Sequence, residues 1–419
     1  MIKLKLFKKD FMLLVLGQII SIFGNQILRY ALPLYLLNQA GSSVLFGTIL
    51  ASSFVPMLLL FPIGGVIADR VNKRNIMVIL DFSTAILISL FYLLVGKIDI
   101  VPLMAITMII LYGIQGAYQP AVKASVPVLV ESEYIMKANS VVDMISSLAS
   151  MVGPVIGGFL FSVLGLTPIL YASISCFFAA AVMEIFIHIP FKKKKTIGNI
   201  FTIGLSDIKE SFGFMFMERP VLWKISLIFG SSNLLLISLI MIALPVLITQ
   251  RLGFALDTAN RLYGYSQGVA ATGAVLGGLL AGVLSKKLKA KTSPLLLIGC
   301  ALSIFLEGIA LHTLRTSMAI YIVLLINSGL LLMLQTLFQI QMSTYMQLLT
   351  PKDLIGKVIS CFMCIVIGTI PLGQFIYGFV FEHIGNFTYI PFYIAALIMI
   401  AISIFTRRIF YEIEYLIEQ

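Results

Sequence analysis

Residues 64–75 read GGVIADRVNKRN. In a chain of 419 residues of which 11% are charged, this one stretch holds Asp69, Arg70, Lys73 and Arg74. The runs on either side, GTILASSFVPMLLLFPIGGVIA before it and IMVILDFSTAILISLFYLLV after it, are each about long enough to cross a ~30 Å hydrocarbon core as a helix. The charged stretch is therefore a very short loop between two membrane spans.

Composition makes this reading general. With 60% hydrophobic residues, thirty phenylalanines and a mean hydropathy of +1.05, so much apolar surface cannot be hidden inside a soluble globule of this size. The expected fold class is all-α integral membrane, with the lipid bilayer as its solvent. Lys and Arg outnumber Asp and Glu by 29 to 18, but nucleic-acid binders concentrate charge on a solvated domain, and no hydrophilic segment is long enough to be one. Nucleic acid is thus excluded as a partner, and membrane topology accounts for the charge. The opening MIKLKLFKKDFMLLVLGQIISIFG has the basic-then-apolar order of a signal peptide. Its apolar run continues to about Leu37 without a small-x-small cleavage site, so it reads as an uncleaved first span. Cys361 and Cys364 form a C-x-x-C, but on an apolar helix with no His or second pair nearby, so neither a metal nor a cofactor is expected.

Apolar runs predict spans near 11–37, 44–68, 75–96, 101–121, 138–164, 167–189, 221–249, 261–284, 293–311, 317–343, 355–381 and 388–406. With both termini on one side, the loops on that side hold 24 of the 29 cations, which places the termini in the cytoplasm. The longest polar segment, FKKKKTIGNIFTIGLSDIKESFGFMFMERP, follows the sixth span. It divides the chain into an N-terminal bundle (1–190), a cytoplasmic linker (191–220) and a C-terminal bundle (221–419). The halves repeat each other. Ala31 to Pro33 recurs as Ala243 to Pro245, and Gly65 with Lys73 and Arg74 recurs as Gly278 with Lys286 and Lys287; further along, Lys137, Gly153, Gly158 and Gly165 recur as Lys357, Gly373, Gly378 and Gly385. Two parallel repeats about an axis along the membrane normal are a transporter architecture, because similar bundles rocking about a central site give alternating access.

Gly65, Asp69, Arg70, Lys73 and Arg74 closely resemble the G-x-x-x-D-R-x-G-R-K signature between the second and third spans of the major facilitator superfamily. Asn72 stands where that family usually has Gly, a mild change because Asn tolerates a left-handed turn. The resemblance implies twelve transmembrane helices in two pseudo-symmetric six-helix bundles, and a clamp in which Asp69 and its neighbouring cations hold one conformation against the start of a later helix. A second motif in the fifth span, GPVIGG at Gly153 to Gly158, resembles the G-P-x-x-G-G signature of exporters. Gly153, Pro154, Gly157 and Gly158 make a helix-packing seam: Ala149, Gly153 and Gly157 leave one face bare while Pro154 bends the span. Over essentially its full length the chain is similar to the bacterial branch that contains macrolide-efflux proteins and the enterobactin exporter. The Arg that many drug and proton antiporters carry in the fourth span is missing from MIILYGIQGAYQPA.

Polar side chains inside spans are costly enough to call for a role. Gln18, Ser21, Asn25 and Arg29 form one stripe on the first span. Tyr112, Gln115 and Gln119 form another on the fourth; Asn327, Gln335 and Gln339 form a third on the tenth. In the family fold these helices line the substrate cavity, whose expected wall is Asn25, Arg29, Tyr112, Gln115, Gln119, Asn233, Gln335 and Gln339. Of the buried-range acids Asp81, Asp143, Glu184 and Glu307, the first two sit about 6–9 Å in from the cytoplasmic end by helix rise and are expected to join the clamp. Asp143 is the first candidate to carry a proton.

The expected activity is that of a secondary active exporter, not an enzyme. Its cargo would be small amphipathic molecules such as macrolide-like antibiotics, a multidrug or antibiotic-resistance role, with protons as driving ion and substrate and proton as partners of a monomer in the bacterial cytoplasmic membrane. Alternatives are export of a siderophore or other endogenous metabolite, and a non-transporting sensor on a transporter fold. No G-x-x-x-x-G-K-[ST] supports ATP-driven transport, and His188, His312 and His383 lie apart with no hydrolase spacing.

Overall fold

The computed structural model describes residues 8–131, 134–190, 212–284, 288–351 and 354–418. Within its helices, the side chains of 61–62, 65–66, 68–70, 135–137, 140, 143, 355–357, 359–360 and 417–418 lie outside that description. Twelve apolar helices follow one another: α1 (Lys9–Ala40), α2 (Ser43–Arg70), α3 (Lys73–Leu94), α4 (Ile100–Leu129), α5 (Ile135–Leu164), α6 (Leu166–Ile185), α7 (Pro220–Arg251), α8 (Leu256–Leu284), α9 (Ser293–Thr313), α10 (Ser317–Leu348), α11 (Ile355–His383) and α12 (Ile390–Phe405). A thirteenth, α13 (Arg407–Glu418), follows α12 after a 44° bend. Among the described residues no strand is present.

Local chemistry sets where these helices start and stop. Asn72 accepts from the Arg74 N–H and Asp99 from the Val101 N–H, each capping the helix that follows. Proline opens α7 at Pro220, α9 at Pro294 and α12 at Pro391, where its missing N–H costs nothing. Gly165 (φ 74°) and Gly385 (φ 59°) turn the chain between α5 and α6 and between α11 and α12. They are the same position of the sequence repeat, and both need the positive φ that glycine supplies most cheaply. Inside the spans hydroxyls bond back to carbonyls one turn earlier, Thr107 to Leu103 and Ser125 to Ala121 among them, which satisfies those polar hydrogens within the helix.

The described residues cluster into two compact units, 8–40 with 52–190 and 41–51 with 212–418. In the first unit α1 packs along α5 and α6, and α3 packs against α4 and α6. In the second, α7 packs on α11, α8 and α9 on α10, and α9 on α12. The closest approaches recur at repeat-related places. A Cβ on Gly153 would lie 2.6 Å from the Cβ of Gln26, and one on Gly373, the repeat partner of Gly153, would meet Ser238, which sits where the other half has Gln26. Gly116 lies against the Met57 backbone between α4 and α2 just as Gly273 lies against the Gly329 backbone between α8 and α10.

Helix α7 departs from a plain apolar rod. Asn233–Ile237 and Leu247–Arg251 form wide π-type turns within it. Its Asn233–Ile237 turn lies against α11, where the Asn233 side-chain amide donates to the Val366 carbonyl and Ser238 Oγ to Ile370 O.

A candidate binding site inside the first bundle

The polar stripe of α1 points into the first unit. From Arg29 outward, Nη1 donates to Gln115 Oε1 at 2.7 Å and the guanidinium lies 4.5 Å from the centre of the Tyr112 ring. Tyr112 is itself buried and held edge-on by Phe54 of α2 at 5.1 Å. Among the described residues no carboxylate comes within 4 Å of Arg29. Its charge is met by an amide oxygen and an aromatic face, an arrangement that leaves the guanidinium's other N–H donors available. Leu28, Leu32, Pro33 and Met108 surround this cleft.

One turn back along α1, Asn25 joins the cleft to a larger cavity of ≈ 200 Å³ lined by Ser21, Asn25, Asp81, Gln115, Tyr118 and Gln119 among others. The Asn25 side-chain oxygen has no hydrogen-bond partner among the described residues. Of the wall read from the sequence, the structure thus brings together Asn25, Arg29, Tyr112, Gln115 and Gln119.

The remaining three wall residues lie in the second unit. Gln335 of α10 is buried, donates to Asn233 Oδ1 at 3.2 Å and accepts from Ser232 Oγ at 2.8 Å. Asn233 is buried as well, whereas Gln339 is exposed one turn further on. The Asn233 and Gln335 amides are therefore spent on each other and on their neighbours, and only Gln339 presents a free polar face.

Two expectations need correction or restriction. Asp81 lies deeper than the sequence places it: α3 begins at Lys73, so Asp81 is eight residues in, about 12 Å along the axis. There it is buried and accepts from Ser21 Oγ of α1 at 3.1 Å. In the opening stretch, Lys73 and Arg74 form the first turn of α3 and the Arg74 guanidinium donates to Asn75 Oδ1 at 3.1 Å. The side chains of Gly65, Asp69, Arg70 and Asp143 lie outside the described residues. In the seam of α5, a Cβ on Gly157 would lie 3.6 Å from the Ile27 backbone and one on Gly153 would meet Gln26, while Pro154 is half-buried within the helix and Gly158 is buried.

Tyr118, on the cavity wall, and Glu184 behind it form a buried contact that the stripes did not mark. Tyr118 sits one position off the Tyr112, Gln115 and Gln119 face, and Glu184 is on another helix, so nothing in local periodicity joins them. They meet because glycines at 17 and 24 let α6 ride along α1: a Cβ on Gly17 would touch Glu184 Cγ at 3.6 Å and one on Gly24 would crowd Cys176 at 2.9 Å. A pair of glycines seven apart on the first span is the signal that could have found this contact.

Twelve apolar helices among the described residues, in two repeated units and with a polar cleft inside an apolar bundle, have the build of a membrane transporter. A profile of the Major Facilitator Superfamily matches residues 14–370, and the chain belongs to that family. Macrolide efflux protein A of Streptococcus pyogenes is 25% identical over 175 residues, 42% of this chain and 43% of that protein. The staphyloferrin B transporter of Staphylococcus aureus is 26% identical over 200 residues, 45% of this chain and 47% of that protein. The chain thus matches somewhat under half the length of these relatives. Among solved structures, a POT family transporter in complex with 5-aminolevulinic acid superposes with a TM-score of 0.75 at 13% identity, covering 96% of both chains. A D-xylose-proton symporter does so with a TM-score of 0.65 at 15% identity over 93% of this chain and 96% of that one. Likeness at this identity carries the fold.

Proposed function

We propose that this chain is a secondary active exporter of small amphipathic molecules, macrolide-like antibiotics among them, driven by protons across a bacterial cytoplasmic membrane with both termini inside. The observation that carries the reading is the cleft around Arg29. A half-buried cation with spare donors, an aromatic face at Tyr112, amides at Gln115 and Gln119 and an apolar surround at Leu28, Leu32 and Met108 suit a molecule with both polar and greasy parts. The outward direction is supported by the GPVIGG motif's likeness to exporters and by a relative named for macrolide efflux. The test is accumulation of a chemically broad compound panel in an efflux-deficient bacterial host expressing the protein, with and without a protonophore. Lower accumulation of a subset of compounds, reversed by the protonophore, is expected; no change for any compound overturns export, and export that survives the protonophore overturns the proton.

Arg29 favours a second cargo class by the same chemistry. An intramembrane guanidinium without a carboxylate partner among the described residues suits acidic chelators of the siderophore kind, and one relative is named as a staphyloferrin B transporter. Inclusion of acidic siderophores in the panel separates the two readings.

Asp69, with Arg70, Lys73 and Arg74, is proposed as the conformational clamp of the family. Asp69→Asn is expected to leave membrane abundance within about twofold of wild type and to slow transport several-fold, because one partner of a state-holding charge cluster is lost while the cargo cleft is untouched. Wild-type rates in a transport assay normalised to immunoblotted protein would reduce the charges to topology markers.

A further inference from the structure

Below the Arg29 cleft, the same unit contains a second polar cluster that the cargo reading does not use. Tyr118 Oη of α4 donates to Glu184 Oε1 of α6 at 2.8 Å and accepts from Gln18 Nε2 of α1 at 2.6 Å. It also lies against Asp81 of α3, whose Oδ1 accepts from Ser21. Glu184 and Gln18 are fully buried and Asp81 is 3% exposed. Each carboxylate has one oxygen served by a hydroxyl and one without a partner among the described residues: Asp81 Oδ2 and Glu184 Oε2 are unpaired there, and so is Gln18 Oε1.

Three buried acceptors without donors in an apolar bundle are expensive, and two neighbouring carboxylates more so if both are ionised. Among the described residues no cation on the surrounding helices relieves them. On α1, Arg29 is committed to Gln115 and Tyr112 two turns away, and Asp10 accepts from the His188 N–H at the helix end. Lys123 of α4 is exposed. On α6 the other titratable groups are Cys176, beside Gly24, and Tyr171, bonded to Tyr92 of α3. Lys73 and Arg74 lie at the start of α3. A proton on each carboxylate would turn each orphan oxygen from an acceptor into a donor, and Gln18 Oε1 offers an acceptor.

We infer that Asp81 and Glu184, bridged by the Tyr118 hydroxyl, are the site that takes up and releases the coupling protons of this transporter. The deduction rests on the proton-driven reading given above. Asp81 lines the ≈ 200 Å³ cavity and is the entry group; Glu184 is not among the residues lining it. Transfer between them needs no other reactant: the protonated Asp81 gives its proton to the Tyr118 oxygen as the Tyr118 hydroxyl proton passes to the Glu184 carboxylate. Asp81 is left ionised, Glu184 neutral and Tyr118 unchanged. Because the cavity that holds Asp81 also holds Asn25 and Gln115 of the cargo cleft, cargo and proton would compete for one connected space, the condition an antiporter needs.

Purified full-length protein in vesicles tests this with Asp81→Asn, Glu184→Gln, Tyr118→Phe and Asp143→Asn. The pH-step infrared difference spectrum needs no cargo: wild type and Asp143→Asn should show carboxylic-acid carbonyl bands, reduced in Asp81→Asn and in Glu184→Gln. With a macrolide as the probe cargo, a pH gradient should drive accumulation by wild type and not by Asp81→Asn or Glu184→Gln, and Glu184→Gln, whose side chain does not line the cavity, should keep cargo exchange at equal concentrations. Tyr118→Phe should slow the gradient-driven flux at least tenfold. The site is overturned if the infrared bands are the same in wild type and both carboxyl variants, if Asp143→Asn alone uncouples, or if a sodium gradient drives wild type and a pH gradient does not. Should a carboxyl variant fail to fold, a hydrophobic carbodiimide on wild type answers instead: labelling of Asp81 or Glu184 that falls as pH rises supports the site, and none at any pH overturns it. If the macrolide does not move but the infrared bands behave as expected, the cargo reading has failed and the proton site stands.

Discussion

Arg29→Gln should cut export of acidic compounds roughly ten- to hundredfold while leaving neutral ones within about twofold. Hydrogen bonds to a charged group are worth about 1.5–3 kcal/mol, and each 1.4 kcal/mol is a factor of ten. The guanidinium already donates to Gln115 and lies over Tyr112, so Gln at this position keeps a polar link across the cleft but removes the charge. Arg29→Lys restores the charge as a point without the planar fork that lies on the tyrosine, so partial recovery of acidic cargo is expected. The measurement is the initial rate of efflux for matched acidic, neutral and cationic compounds in the same host. Uniform activity of all three classes in both variants would mean that Arg29 touches no cargo.

Gly153→Leu should abolish transport. A Cβ alone would come within 2.6 Å of the Gln26 Cβ, a separation real side chains do not adopt, and Leu adds three further carbons to that space. Either α5 is pushed off α1, or Gln26 and the α1 stripe behind it turn away; overpacking of this kind costs ~1–3 kcal/mol and often more. Transport per immunoblotted molecule should fall by about two orders of magnitude, with lower thermal stability in detergent. Phe159→Leu, on an exposed position of the same helix, is the control and should behave as wild type. Gly157→Leu should be milder, because the nearest atom there is the Tyr30 ring at 3.3 Å, a side chain that can shift.

The spans were legible because a bilayer demands long apolar runs, and the chain supplies them. The α1 and α4 stripes were legible for a related reason, since intramembrane polar side chains at helical spacing must share a face. What spacing cannot show is which stripe meets which. The Gln18, Tyr118 and Glu184 contacts join residues 100 and 66 positions apart across three helices, and Asp81 reads as a loop-side charge because the polar residues 72–75 mask a helix that already begins at Lys73. The wide turns of α7 were hidden as well: each inserts a residue without changing the apolar composition, so hydropathy runs through them unbroken. Helix α13 escaped the apolar search because its exposed face is charged, although Phe410 and Ile413, three apart, mark its inner side.

That last helix is held in a way that bears on how the protein can be handled. Phe410 and Ile413 are fully buried, with Phe410 edge-on to Phe338 of α10 at 6.4 Å. Of the ion pairs at its rim, Lys224 with Glu412 at 3.3 Å is open to solvent on both sides and worth at most about 1 kcal/mol, whereas Lys289 with Glu414 at 3.8 Å has an exposed lysine but a largely covered carboxylate. Concentrated salt will weaken the rim and leave the apolar anchors seated, so a high-salt wash will not peel this helix from its bundle. A harsh detergent competes for the anchors directly, and the ends of α7, α9 and α12 that this helix touches are where the second unit will loosen first during extraction.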